Sequence, residues 1–304
     1  MKIFDTTPAP GVGSRPKGAR DERDSARRVR DMFSAIAPRY DLLNHLLSFS
    51  MDNRWRRLTA KKVSAILRRT DARILDLCCG TGDLAFAFEA TRVKIIRDPT
   101  AHRAPILGCD FAYPMLERAR KKARAGTCSA EFINGDAMKM PFPDKSFDLV
   151  ATAFGFRNLA NYESGLREIA RVLRPGGRLA ILEFSEPNNT MMAKMYRFYF
   201  KRMLPVIGGL ISGNPAAYSY LPKSVSNFPP PPQLAKLMAS AGFSEVRYQA
   251  WNFGSVVLHI GKTPGAELPA IDLEKEFGPP RRRKADFGIR DEVRENWKHK
   301  VSQN

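Results

Sequence analysis

Apolar positions along this chain follow two periods, and each change of period marks a predicted element. Val29, Met32, Phe33 and Ile36 recur at helical spacing from about Ser25 until Pro38 interrupts them. A second amphipathic stretch, Tyr40–Ser48, leads through Trp55 into a helix ending near Arg69. Short apolar runs then read as strands: Arg73–Leu77, Pro105–Cys109, Ala130–Asn134, Phe147–Ala153, Arg178–Glu183, Glu245–Ala250 and Val256–Lys262. Between them lie helical patterns over Leu84–Ala90, from Pro114 onward, over Tyr162–Leu173 and over Gln233–Ala241. The third closes on Arg174-Pro-Gly-Gly and the last at Gly242. Strands alternating with helices predict an α/β fold, a doubly wound and mostly parallel seven-stranded sheet. Its last strand pair adds one antiparallel strand.

The remaining segments set the domain limits. Residues 1–25 are poor in apolar side chains and read as a disordered extension. Residues 26–263 form the domain. Within it, 91–105 has no clean period and reads as a surface insertion, and 190–223 reads as an amphipathic lid facing a membrane. Residues 264–304 read as a charged tail, with a terminal helix around Asp291–Val301.

Charge changes this picture little until it is located. The formal net charge is +19, yet residues 1–31 and 264–304 together account for only +4, so the excess sits in the domain. It concentrates in Arg54 to Arg69, in Arg118 to Arg124 and in the acid-free stretch 191–223. A nucleic acid and an anionic membrane surface answer equally to such a balance. The four cysteines (78, 79, 109 and 128) lack metal-site spacing and read as reduced buried thiols. The N-terminus lacks an apolar core of the secretory kind, and no run reaches the ~20 apolar residues of a spanning helix. A cytoplasmic protein, at most peripheral to a membrane, is expected. The four histidines (45, 102, 259 and 299) are scattered, so no metal is expected.

Chemistry concentrates in Ile74-Leu-Asp-Leu-Cys-Cys-Gly-Thr-Gly-Asp83. An apolar strand runs through Asp76 into a turn carrying Gly80 and Gly82, where a backbone without Cβ can approach a ligand closely. The following helix points its first amides into the same space. A dinucleotide is disfavoured, because Cys78 occupies the first glycine position of the fingerprint and Phe86 is too bulky for the last. A ligand without a pyrophosphate fits better, and S-adenosylmethionine leads the candidates. Acids stand at three successive strand ends, where open α/β sheets bind ligands. Asp76 is expected to shape the turn and face the methionyl ammonium, Asp110 to hold the ribose hydroxyls, and Asp136 with the amide of Ala137 to read the adenine edge.

Three further stretches carry a resemblance. Arg171-Val-Leu-Arg-Pro-Gly-Gly-Arg-Leu-Ala-Ile-Leu-Glu-Phe-Ser185 is similar to the C-terminal signature of the ubiquinone/menaquinone biosynthesis C-methyltransferases. Tyr40-Asp-Leu-Leu-Asn-His-Leu-Leu-Ser48 with Trp55 resembles their N-terminal signature, and Phe154-Gly-Phe-Arg-Asn158 the motif after their fourth strand. The likeness spans roughly residues 27–263. It implies a class I, Rossmann-like methyltransferase with an N-terminal helical lid. Its cofactor contacts fall on Thr81, Asp110, Asp136 and Ala137, and Ala153 stands after strand four where the family often has a serine or similar small residue. Its chemical residues fall on Arg157 and Asn158, and its lid residues on Tyr40 and Asn44. Asp52 stands where the family has a histidine, and Arg174 where it has a lysine.

The implied reaction is C-methylation of a prenylated quinol, demethylmenaquinol first and the benzoquinol of ubiquinone synthesis as the alternative. Another small-molecule or an RNA methyltransferase ranks below both. A bilayer-dissolved substrate implies peripheral attachment at the inner membrane face. A homodimer or contact with other quinone-biosynthesis enzymes is compatible with the sequence, and a nucleic-acid partner is not expected. The acid-free stretch 191–211, rich in Met and aromatics, suits an interfacial helix as well as a capping helix on the sheet.

Overall fold

The computed structural model describes residues 13–42, 48, 50–98, 100–126, 128–187 and 215–265. Seven strands form one sheet in the order β3-β2-β1-β4-β5-β7-β6. They are β1 (Ile74–Leu77), β2 (Ile106–Asp110), β3 (Glu131–Asn134), β4 (Phe147–Ala153), β5 (Leu173–Phe184), β6 (Ser244–Trp251) and β7 (Val256–Lys262). The first five run parallel, and β7 pairs antiparallel with both β5 and β6. Chain order reverses between β1 and β4, which is the switch point where such sheets open a crevice.

The helices are α1 (Glu22–Ile36), α2 (Met51–Lys62), α3 (Ser64–Leu67), α4 (Asp83–Ile96), α5 (Tyr113–Ala125), α6 (Tyr162–Val172), α7 (Pro215–Ser226) and α8 (Pro231–Ser240). One apolar cluster joins β1 and β4 to α2 and α4 through Trp55, Val63, Phe88 and Leu149. The second, on the other face, gathers Leu75, Val150, Leu166, Ile169 and Met238. Burial on both faces explains why the central strands are nearly continuous apolar runs. All four cysteines are free.

Three expectations are corrected. The chain is structured from residue 13, well before Ser25. α1 begins at Glu22, because Asp21 caps it by accepting a hydrogen bond from the Asp24 amide at 2.7 Å. Residues 91–105 are not a plain surface insertion, since α4 continues to Ile96. Arg92 is fully buried there, donating to the carbonyls of Ala104 (2.7 Å) and Thr70 (3.2 Å) and so tying the following loop down. Strand β5 reaches back to Leu173, because Leu173 pairs with Phe147 across a register shift. The Pro-Gly-Gly stop therefore lies inside the strand's span. Of the expected lid, α7 is described and 188–214 lies outside the described residues, as do 266–304 and Asn44.

Candidate functional site

The glycine turn after β1 fixes the floor of the site. Cys78 (φ 55°), Gly80 (φ 54°) and Gly82 (φ 87°) all adopt the left-handed conformation, which a cysteine takes only at a cost. Space for the Cys78 side chain comes from Gly155, where any Cβ would lie 2.4 Å from the Cys78 Cβ. The acid at the end of β2 then fastens the turn. Asp110 accepts the Gly80 amide at 2.9 Å on one oxygen and the Ala112 amide at 2.8 Å on the other. Each carboxylate oxygen keeps accepting capacity beyond that one bond. Burial raises its pKa against the pull of those amides.

A cavity open to solvent, with about 700 Å³ of empty space including its mouth, lies at the carboxyl ends of the strands. Seven of the expected site residues line it: Tyr40, Gly80, Asp110, Asp136, Ala137, Ala153 and Asn158. Its wall also includes Phe33, Phe111 and Met115, none of which the sequence marked as a site residue. Asp136 is partly engaged, accepting the Met138 amide at 2.9 Å.

Four expected residues lie elsewhere. Asp76 is buried behind the turn and accepts the Ala85 amide at 3.0 Å, so it anchors the start of α4 rather than facing the cavity. Burial pushes its pKa up to about 8, outweighing that amide and the charge of Arg56. Thr81 donates to Asp41 at 2.5 Å and accepts from Lys122 at 3.2 Å. Those contacts belong to a charged latch: Lys122 bridges Asp41 (3.3 Å) and Asp83 (2.5 Å), while Arg56 pairs with Asp52 (2.5 Å) and approaches Asp83 (3.6 Å). The N-terminal segment is thereby tied to the glycine turn. Gly82 is a packing glycine, since a Cβ there would meet the Phe132 ring at 2.8 Å.

Arg157 is the fourth. It sits in the turn over 156–158, where its own backbone amide donates to Glu183 at 3.0 Å. Its Nη1 donates to the other Glu183 oxygen at 2.8 Å and to the Phe154 carbonyl. The guanidinium also lies over the Phe184 ring, 5.5 Å from its centroid. Its buried Nε has no hydrogen-bond partner among the described residues. Glu183 could have been suspected from the sequence, since it stands at the end of an apolar strand like the other site acids.

The thiols of Cys79 and Cys109 are pushed up by burial, Cys109 to about 12, so both stay neutral. Among the described residues no group of histidines, cysteines and acids is placed to hold a metal ion.

Residues 20–263 match the ubiE/COQ5 methyltransferase family. A demethylmenaquinone methyltransferase of Thermus thermophilus is 52% identical over 77% of this chain and 100% of its own length. A ubiquinone/menaquinone biosynthesis C-methyltransferase UbiE of Geobacter sulfurreducens is 44% identical over 79% of this chain and 90% of its own. Among solved structures, the [4+2]-cyclase SpnF shares the fold with a TM-score of 0.57 and 16% identity, covering 84% of this chain and 100% of that one.

Proposed function

Because the chain belongs to the ubiE/COQ5 methyltransferase family and is accordingly a methyltransferase, we propose that it methylates a ring carbon of a prenylated quinol, with S-adenosylmethionine as donor. Demethylmenaquinol is the preferred acceptor, following the name of the Thermus relative. The Geobacter relative's name also covers the ubiquinone branch, and the same residues would serve a benzoquinol.

One observation carries the reading. A single cavity is lined both by cofactor-type residues (Gly80, Asp110, Asp136, Ala137) and by acceptor-type residues (Tyr40, Asn158). The residues fit an adenosyl ligand. Gly80 leaves its backbone open, with only Tyr40 within reach of a Cβ at 3.8 Å, and the Asp110 oxygens keep unused acceptor capacity. Bound S-adenosylmethionine would supply a methyl group already activated on a sulfonium.

The protein's own work is then positioning and electrostatics. Asn158 holds the acceptor ring at a hydroxyl. The ring carbon becomes nucleophilic as that hydroxyl loses its proton to water, and the carbon sheds its own hydrogen after the new C–C bond has formed. Arginine is too basic to accept those protons. Arg157, paired with Glu183 behind the cavity wall, supports the developing phenolate through space rather than by contact. Phe33, Phe111, Met115 and Phe154 line the cavity with apolar surface that suits a hydrocarbon-rich substrate.

The substrate class implies a peripheral membrane enzyme. Tyr113, just past the end of β2, is 53% exposed, and Phe253 in the β6–β7 turn is 73% exposed. Phe253 stands at the sheet edge where β5 ends, because Phe184 pairs with Val256. Aromatic side chains at that edge favour contact with lipid on the side where the cavity opens. Among the described residues no helix is long and apolar enough to cross a membrane.

The test is transfer of label from S-adenosylmethionine into organic-extractable product, with reduced demethylmenaquinone, a demethyl benzoquinol and total RNA offered in parallel. Label in demethylmenaquinol supports the proposal, and label in the benzoquinol moves it to the other branch. Label in RNA alone, or in none of the three, overturns it.

A further inference from the structure

The N-terminal residues 13–15 reach the cavity wall. The Ser14 amide donates to the Leu159 carbonyl at 2.7 Å, and Arg15 donates to the Ala160 carbonyl at 2.6 Å. Gly13 lies so close to this loop that a Cβ there would be 2.3 Å from the Ala160 carbonyl carbon. Ser14 itself is buried, and Ser25 of α1 holds its carbonyl at 2.5 Å. From that fixed position the Ser14 hydroxyl meets the Tyr220 hydroxyl of α7 at 2.5 Å. The Tyr220 hydroxyl in turn meets Oδ1 of Asn158 at 3.0 Å, and Asn158 lines the cavity.

We propose that Ser14 and Tyr220 are positioning residues for the transfer, a hydroxyl relay that locks the Asn158 carboxamide with its nitrogen toward the acceptor. The relay has a direction. Each hydroxyl carries one proton, so Ser14 donates to Tyr220 and Tyr220 donates to the amide oxygen. That leaves the two Nδ2 protons for the acceptor's ring oxygen, where negative charge gathers as the phenol ionises. A donor fixed beforehand at such a point costs nothing to reorient during the reaction. Released from Tyr220, the amide could turn either end to the cavity, and an oxygen there would repel the phenolate. Burial raises the Tyr220 pKa, and the Ser14 hydrogen bond, then the charge of Arg157, only partly offset it. Three segments distant in sequence, at 13–15, 156–158 and 215–226, thus act on one side chain.

This inference rests on the quinol reading for its kinetic arm but not for its spectroscopic one. Tyr220→Phe and Ser14→Ala should each lower kcat for demethylmenaquinol by roughly 10- to 100-fold, with S-adenosylmethionine affinity, measured by calorimetry, within about 2-fold. The double variant should lose no more than the worse single one, because both act through one bond chain. Ser14→Thr, which keeps the hydroxyl, should restore turnover. Multiplying losses, unchanged kcat, or equal losses in cofactor affinity and thermal midpoint would each overturn the proposal. The side-chain amide resonances of Asn158, assigned by their absence in Asn158→Asp, should shift in both Tyr220→Phe and Ser14→Ala. If they shift in neither, the relay is refuted whatever the enzyme methylates. If wild type methylates no quinol but the resonances shift, the relay stands and the substrate assignment fails.

Discussion

Nη1 of Arg157 lies 2.8 Å from Oε2 of Glu183, with the two side chains 6% and 1% exposed. The pair joins the turn after β4 to the end of β5, directly behind the cavity wall. Breaking it from one side leaves a buried charge without a counter-ion, which typically costs about 3–5 kcal/mol. Glu183→Ala should therefore destabilise the protein by that order in urea unfolding. Arg157→Ala should lower turnover far more than cofactor affinity. The double variant Arg157→Leu/Glu183→Leu separates the two roles: it should recover much of the stability while activity stays low. Recovery of activity together with stability would reduce Arg157 to a purely structural part.

Asp110 offers a cleaner handle on cofactor binding, because its carboxylate both holds Gly80 and lines the cavity. Asp110→Ala frees the Gly80 amide and removes a charged acceptor. The affinity for S-adenosylmethionine should drop by on the order of 10- to 100-fold, equivalent to the ~1.5–3 kcal/mol of a charged hydrogen bond. At saturating cofactor, kcat should change far less. Isothermal titration and steady-state kinetics read the two separately.

The Asp76 carboxyl gives stability a pH dependence of unusual sign. Its pKa is about 8 in the fold against 3.8 as a free side chain, so the folded chain holds a proton that the unfolded chain releases. Its contribution is fully present below about pH 4 and is lost as pH rises towards 8, by up to about 1.4 kcal/mol per unit. Asp76→Asn keeps an acceptor for the Ala85 amide and removes the titration. Its stability advantage over wild type should grow from pH 5 to pH 8 and level off above, as followed by denaturant unfolding at each pH. A flat difference would show that Asp76 is ionised in the fold.

His259 pulls the opposite way. Its Nε2 donates to the Pro231 carbonyl at 3.0 Å, and burial lowers its pKa from 6.5 to about 4. A folded pKa below the unfolded one gives stability that is present above about pH 6.5 and lost as pH falls towards 4. The ring should show no NMR titration between pH 5.5 and 8, which would rule it out as an acid–base group near neutral pH. A midpoint near 6.5 would mean that the ring is accessible to water.

Much of this molecule was legible because strand ends announce themselves. Phe147–Ala153 and Val256–Lys262 coincide with their expected ranges, and Asp110 and Asp136 reach the cavity because each follows an apolar run to its carboxyl end. What stayed hidden depends on where a side chain turns inside a known motif. Thr81 stands between two glycines of the cradle, yet it faces Asp41, a partner that only the folded N-terminal segment supplies. Arg157 was expected beside the acceptor, yet it turns to Glu183, a partner 26 positions away that its local motif does not announce. Residues 13–15 carry no apolar period at all. They are ordered through backbone contacts with Leu159 and Ala160, for which local sequence has no signal. The helix through 91–96 reads as an insertion in the sequence because Arg92, polar on any scale, is the side chain that is buried.

Cys78 and Gly155 share room for a single Cβ. Their substitutions are therefore order-dependent along any evolutionary path. Cys78→Gly is open at once, for it relieves a left-handed cysteine and vacates the space. Gly155→Ala is closed until that step has been taken, and afterwards it must still ease the carbonyl oxygen of residue 78 and the Thr152 hydroxyl oxygen, each 3.2 Å from the new Cβ. A lineage that has kept the cysteine is held to glycine at 155, whatever its substrate asks of that wall, and the first move towards a remodelled acceptor pocket must come from the cofactor side.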